Sequence, residues 1–481
     1  MKAPIYNEIK KNISKQRTLF TTPGHNGKVI LNSKNFCKLD ASTNFESDKL
    51  DIPRSYILDS EYSLKKMYNT CYSYYITNGT SSAILAMIGS VLNPGDKIIV
   101  DRDCHKSVID AIMLCRLTPV FIKRDYNSSL DFFGGTDLYA LESTLSLNSD
   151  AKAIYITSPN YYGVMSDIAA ISEMAYKNNM LLLVDESHGA HLPFSSEFPP
   201  SALNCGADIV VHNTGETLGS MSGGALLHIN NNTIDLDRVR QVVYTYQSPE
   251  TSNAYLCALE NSIYYAQAKA KKFSMLKKEI DRCSSIINDG TDIIWFDAKY
   301  TDKFWIKNID TTRIVLNFSK MGMSGAEVSA ILRQKFDIEP EAALGYNVIL
   351  VASLFNSTHH IRKLSTALMY IYNQFLKKNI EIMEHAPFDP DKNIDIMLSC
   401  IPANTLSTPG DKIDTDAVLG RICKTCVYEH PTYIPLIIPG ERISESHIES
   451  INSTIEKGGF IGGLTPNGEF NTVDLSYSLR V

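Results

Sequence analysis

Several short motifs place polar side chains directly after apolar runs, where reactive groups can be held. Asn78-Gly79-Thr80-Ser81-Ser82 follows one such run and opens a helical stretch. Free backbone N–H groups, the helix dipole and the hydroxyls of Thr80 and Ser81 suit a phosphate there, although Ser and Thr are also ordinary helix caps. Val184-Asp185-Glu186-Ser187-His188-Gly189-Ala190-His191 ends another run. A carboxylate at a buried strand end is costly unless paired, and Asp185 would suit a pyridinium N–H, strengthening such a ring as an electron sink. His188 and His191 surround a turn-prone glycine with no third ligand in view, so no metal is expected. Arg102-Asp103-Cys104-His105-Lys106-Ser107 offers His105 either to stack on an aromatic ligand or simply to sit at a helix start. Thr157-Ser158-Pro159-Asn160-Tyr161-Tyr162-Gly163-Val164 adds hydroxyls and aromatics.

These motifs need a scaffold that brings them to one edge. Between residues about 70 and 230, short apolar runs alternate with helical stretches. Strands are expected at Tyr74–Thr77, Lys97–Asp101, Pro119–Lys123, Ala153–Thr157, Leu181–Asp185, Asp208–His212 and Ala225–Ile229. Several are β-branched and apolar on both faces, as strands covered by helices are. Ser81–Val91 and Ile168–Asn178 read as intervening helices. The pattern predicts an α/β fold with a mostly parallel sheet, whose ligands bind beyond the carboxyl ends of the strands. After Phe273 a smaller α/β unit is expected, with strands at Arg313–Phe318 and Val348–Ser353. A polar connection with Pro387 and Pro390 follows near 384–398, and then a helix at Thr415–Val427.

At 481 residues and 44% hydrophobic content the chain can bury a large core in two or three domains. A formal net charge of −7 without a basic stripe argues against nucleic acid. The lysine-rich start, Met1 to Arg17, lacks a signal peptide's apolar stretch, and no apolar run approaches the roughly 20 residues of a membrane span. A soluble cytoplasmic protein is expected. Ten scattered cysteines do not form a disulfide framework; Cys423-Lys-Thr-Cys426 reads as two thiols near one helix face.

In order and spacing, the motifs from Thr22-Pro-Gly-His25 to Pro439-Gly-Glu441 resemble the fold type I pyridoxal-phosphate decarboxylases of ornithine, lysine and arginine, in their short branch of roughly 480 residues. The resemblance implies a large PLP-type α/β domain over 61–272 behind an N-terminal arm (1–60), a small α/β domain over 273–383 and a C-terminal domain over 384–481. It implies that Gly79, Thr80 and Ser81 bind the phosphate, that His105 stacks on the ring and that Asp185 pairs with its nitrogen. It also implies a basic amino acid substrate and a dimer with sites at its interface. Ser187 stands where the family has alanine, and Asp40-Ala-Ser-Thr43 lacks the family's acidic residue. Asp48-Lys-Leu-Asp-Ile-Pro53 still resembles its counterpart, and Glu339-Pro-Glu341 matches an acidic pair.

One motif breaks the pattern. Where the family reads Ser-x-His-Lys-Thr-Leu, this chain has Asn213-Thr214-Gly215-Glu216-Thr217-Leu218. Three anchors differ together: Asn213 for the serine, Gly215 for the histidine and Glu216 for the imine-forming lysine. A carboxylate cannot form that imine. It also places negative charge near a phosphate and Asp185, at a cost on the order of 3 kcal/mol for one contact at ~6 Å and an effective dielectric of ~20. Glu216 is therefore expected to take up a proton or turn outward, while the Asn213 amide can still donate to a phosphate. The first reading is a family member without decarboxylase activity, working as a homodimer or paired with an active relative. The second is an enzyme using the cofactor without the internal imine, with His188 or His212 as base. The third is a binding protein for another anionic ligand.

Overall fold

The computed structural model describes residue 4 and residues 17–28, 36–40, 48–122, 124–127, 130–248, 250–377, 398–456 and 459–473. The readings for most of the stretch from Met1 to Gln16, for Ala41–Thr43 and for most of the 384–398 connection lie outside the described residues.

Seven strands form the central sheet: β1 (Tyr72–Ile76), β2 (Lys97–Asp101), β3 (Thr118–Ile122), β4 (Ala153–Thr157), β5 (Leu181–Asp185), β6 (Ile209–Asn213) and β7 (Ala225–Ile229). Their order across the sheet is β1-β7-β6-β5-β4-β2-β3. Pairing is parallel from β6 to β3, and β7 runs antiparallel to both β6 and β1. Alternate residues feed two separate cores. Ile99, Ile154, Leu182 and Val210 point to one, and Ile98, Ala153, Leu183 and Ile209 to the other. This burial on both faces explains the nearly continuous apolar runs.

The helices that matter for the site start at strand ends: α1 (Gly79–Val91) after β1, α2 (Lys106–Leu114) after β2, α3 (Ile168–Lys177) and the single turn α4 (Thr214–Thr217) after β6. His105 caps α2 by accepting from the Ser107 N–H at 3.2 Å. Asn213 caps α4 by accepting from the Gly215 N–H at 3.0 Å. Asp48, from the segment before residue 56, accepts from the N–H groups of Arg54, Ser55 and Ile57 at 2.6, 2.9 and 2.9 Å. It thereby fixes the start of the helix at Tyr56–Tyr68.

A second sheet of four strands has the order β8-β9-β11-β10, with β8 (Ile294–Trp295), β9 (Arg313–Asn317), β10 (Ala342–Leu344) and β11 (Asn347–Val351). One face packs on the helices Ala270–Gly290, Gly325–Phe336 and Thr358–Lys377. The other meets Phe132, Tyr161 and Tyr162 of the large sheet's loops. The described residues between 398 and 473 hold a core of their own and a three-stranded sheet of β12 (Val427–His430), β13 (Pro435–Ile437) and β14 (Phe460–Gly462).

The helix expected over Thr415–Val427 is absent. Only a short 3₁₀ turn at Thr415–Ala417 forms, and Val427 begins β12. Gly420 takes a positive φ of 79°, and Cys423 exchanges backbone bonds with Gly440 and Glu441 at 2.8 Å each. Long-range pairing has overridden local helical propensity. Cys423 and Cys426 therefore share no helix face; both are buried, and burial pushes the Cys426 thiol up to about 12.

The segment Thr22–His25 lies over α4. The Gly24 N–H donates to the Gly215 carbonyl at 2.8 Å, and a Cβ at residue 24 would overlap the Glu216 carbonyl oxygen. Neither partner is a flexible side-chain end, so Gly24→Ala should lower stability by roughly 1–3 kcal/mol, the usual range for overpacking. Urea unfolding should show a lower midpoint; an unchanged midpoint would mean that the segment does not clamp α4.

Candidate functional site

The parallel strands deliver their polar ends to one edge, as the topology requires. Asp185 ends β5 with its carboxylate buried. Its Oδ1 accepts from the Ser187 N–H at 3.0 Å and from the Ser187 hydroxyl, and its Oδ2 accepts from the Tyr155 hydroxyl at 3.1 Å. Oδ2 keeps a lone pair for one further donor. His105 is near enough to feel the Asp185 charge, yet burial pushes its imidazole down to about 4, leaving it neutral. Its ring centroid lies 5.3 Å from that of Tyr433, whose carbonyl accepts from the Lys106 N–H at 2.9 Å. The C-terminal unit thus covers the α2 start, tied further by Arg102 to Pro435 and Glu441.

At the head of α1, Gly79 is already committed, because its N–H donates to the Gly223 carbonyl at 2.7 Å. The following turn, with Thr80 half-buried and Ser81 exposed, opens beside a cleft of about 430 Å³ lined by Thr77, Asn78, Met221, Ser248 and Tyr255. The backbone N–H groups of a first helical turn lack intrahelical acceptors, so an anion can be met here by Thr80 and Ser81 but not by Gly79.

Glu216 behaves differently from the sequence expectation. It neither turns outward nor takes up a proton. Its residue is 9% exposed, and the carboxylate is met from three directions. Arg313 Nη2 donates to Oε2 at 2.9 Å, His188 Nδ1 lies 2.7 Å from the same oxygen, and Asn213 Nδ2 donates to Oε1 at 3.1 Å. Burial alone pushes the carboxyl up, but His188 and Arg313 outweigh it and hold the group down at about 2. The Asn213 amide is thus directed at Glu216 rather than at the α1 start. His212, the other base considered, is wholly buried. It contacts Glu186 at 2.7 Å and His228 at 3.1 Å, and so faces the interior.

Arg313 is the candidate site residue that sequence reading missed. It opens β9 in the second sheet, 2% exposed, with its guanidinium 4.8 Å from the Tyr161 ring centroid. Its approach is built by the preceding turn. Asp310 Oδ1 accepts from Thr312 and lies 3.2 Å from His191 Nε2, and the Asp310 N–H donates to the Gly163 carbonyl at 2.8 Å. His191 therefore contacts and helps orient this turn. Among the described residues no group of three or more His, Cys, Asp or Glu is placed to hold a metal ion. The available signal for Arg313 was a charge opening an otherwise apolar strand, which demands a partner. The acidic pair also separates: Glu339 pairs with Arg17 and Arg333, whereas Glu341 accepts from the Thr22 N–H and hydroxyl at 2.6 and 2.9 Å.

A carboxyl held at about 2, against an ordinary 4.5, stabilises the fold above pH 4.5, and that contribution disappears as pH falls towards 2. The size is roughly 3 kcal/mol. Glu216→Gln should therefore lower stability at pH 7 and converge on wild type only at about pH 2 and below, by denaturant titration across pH. A stability difference independent of pH would refute an ionised Glu216.

Comparison with known proteins agrees with this architecture. Residues 3–296 match the family model for the Orn/Lys/Arg decarboxylase major domain. Arginine decarboxylase of Bacillus subtilis (strain 168) is 27% identical over 470 residues, covering 95% of this chain and 94% of that protein. Among solved structures, lysine decarboxylase A from Pseudomonas aeruginosa superposes with a TM-score of 0.73 at 16% identity, over 92% of this chain and 74% of the other. The constitutive lysine decarboxylase of E. coli gives 0.70 at 16% identity, over 98% and 82%. The fold is that of the fold type I pyridoxal-phosphate enzymes, and the chain belongs to the Orn/Lys/Arg decarboxylase family.

Proposed function

We propose that this chain is a non-catalytic member of its family, with Glu216 standing where the active members carry the lysine that binds the cofactor covalently. One observation supports this above the others: the position is filled by a buried, ionised carboxylate with its own cationic partner. A lysine amine elsewhere would have to take over. Lys106, which belongs to the His105 motif and would have to be repositioned, instead pairs with Asp110 at 2.6 Å and lies over the Tyr428 ring.

The residues fit pyridoxal phosphate as a docked group but not as an attached one. Asp185 Oδ2 has room for a ring N–H, His105 supplies a neutral ring at the same edge, and Thr80 and Ser81 offer N–H groups to the phosphate. When bound, that cofactor would supply an electron sink. Nothing at position 216 can join it covalently, and one N–H of the Asn213 amide already donates to Glu216. His188 cannot serve freely as a base while its Nδ1 is held between Glu216 and Arg313. Retention of Asp185 and His105 is what favours the second reading, an enzyme working without the covalent link.

A basic amino acid is the ligand class the family implies, and a cytoplasmic homodimer or a heterodimer with an active relative is the assembly we infer. Regulation of that relative is the corresponding role. The purified protein, given saturating pyridoxal phosphate and arginine, lysine or ornithine, should release carbon dioxide no faster than a cofactor-only control. Turnover at an ordinary enzymatic rate, about 1 s⁻¹ or more, would overturn the non-catalytic reading.

A further inference from the structure

We propose that the groups around Arg313 form a carboxylate-binding site whose resident carboxylate is Glu216, so that the chain fills its own site against a ligand's carboxylate. The inference builds on the non-catalytic reading and adds what the pocket is shaped to hold. The groups around Glu216 come from three places in the chain: His188 after β5, Asn213 at the end of β6 and Arg313 at the start of β9. A guanidinium, an imidazole and an amide thus converge on one carboxylate.

The site is under-used. Arg313 offers five N–H donors in a fork suited to two-point contact. Of its nitrogens, only Nη2 is engaged; Nε and Nη1 are buried and have no partner, and the Tyr161 hydroxyl is likewise unpartnered. Glu216 is tethered to α4 beneath the Thr22–His25 segment and reaches Arg313 with one oxygen. A free carboxylate, not bound to that backbone, can turn to take two guanidinium nitrogens together. Removing the Glu216 side chain should therefore create a cavity that small carboxylates enter, with Arg313 as the determinant.

The test is thermal unfolding of Glu216→Ala in sodium acetate or formate against sodium chloride at equal ionic strength. Saturable stabilisation of several degrees, with half-effect at millimolar concentrations, is expected. Wild type, Glu216→Gln and Glu216→Ala/Arg313→Met should show no such difference between salts. Equal responses in all four proteins, or none in Glu216→Ala, would overturn the proposal. Should Glu216→Ala fail to fold, the cycle of Glu216→Gln, Arg313→Met and the double variant decides. A double variant less destabilised than the sum of the singles supports the site, and strict additivity refutes it. Decarboxylation by wild type would sink the non-catalytic reading while leaving acetate binding intact, so the two failures are distinguishable.

Discussion

A carboxylate and a guanidinium, both nearly inaccessible to water, face each other between the seven-stranded and four-stranded sheets. Neither charge is tolerable alone: breaking such a pair by removing one member typically costs about 3–5 kcal/mol. Arg313 therefore requires Glu216, and the fold must deliver both to the same point. The β6-to-α4 turn brings one, the Asp310–Thr312 turn brings the other, and Thr22–His25 closes over the junction.

Other buried polar groups hold the strand ends in place. Glu186, beside Asp185, accepts from the Ala202 N–H at 2.8 Å and from the Ser201 hydroxyl, and meets His212, which passes the chain on to His228 and Ser73. Burial and His212 hold His228 well below its ordinary range, so it stays neutral. Arg124 ties Asp101 at the end of β2 to the Thr157 carbonyl at the end of β4. Together these contacts position β2, β4, β5 and β6 relative to one another without entering the pocket. They also give His212, conspicuous in the sequence, a place in this buried network.

The central sheet was legible because its strands are apolar on both faces and stop at polar residues. Lys97–Asp101, Ala153–Thr157, Leu181–Asp185 and Ala225–Ile229 have the expected bounds. The first strand starts earlier, at Tyr72, because that residue pairs with Ile229. Family membership was legible from motif order. What escaped was long-range. No local pattern tells that Arg313, about a hundred residues after Glu216, will neutralise it, and so the carboxylate was expected to flee. The 420–427 stretch misled for the same reason, its backbone partners lying mainly at 440–443 and 471–473.

Borohydride reduction in the presence of pyridoxal phosphate, followed by peptide mapping, tests the central claim most directly. It should be run on wild type and on the triple variant Asn213→Ser/Gly215→His/Glu216→Lys. The wild-type protein should carry no specific reduced adduct, whereas the triple variant should gain one on the peptide containing position 216. A stoichiometric adduct on any lysine of the wild type would contradict the account, because it would mean that an amine of this chain forms the imine.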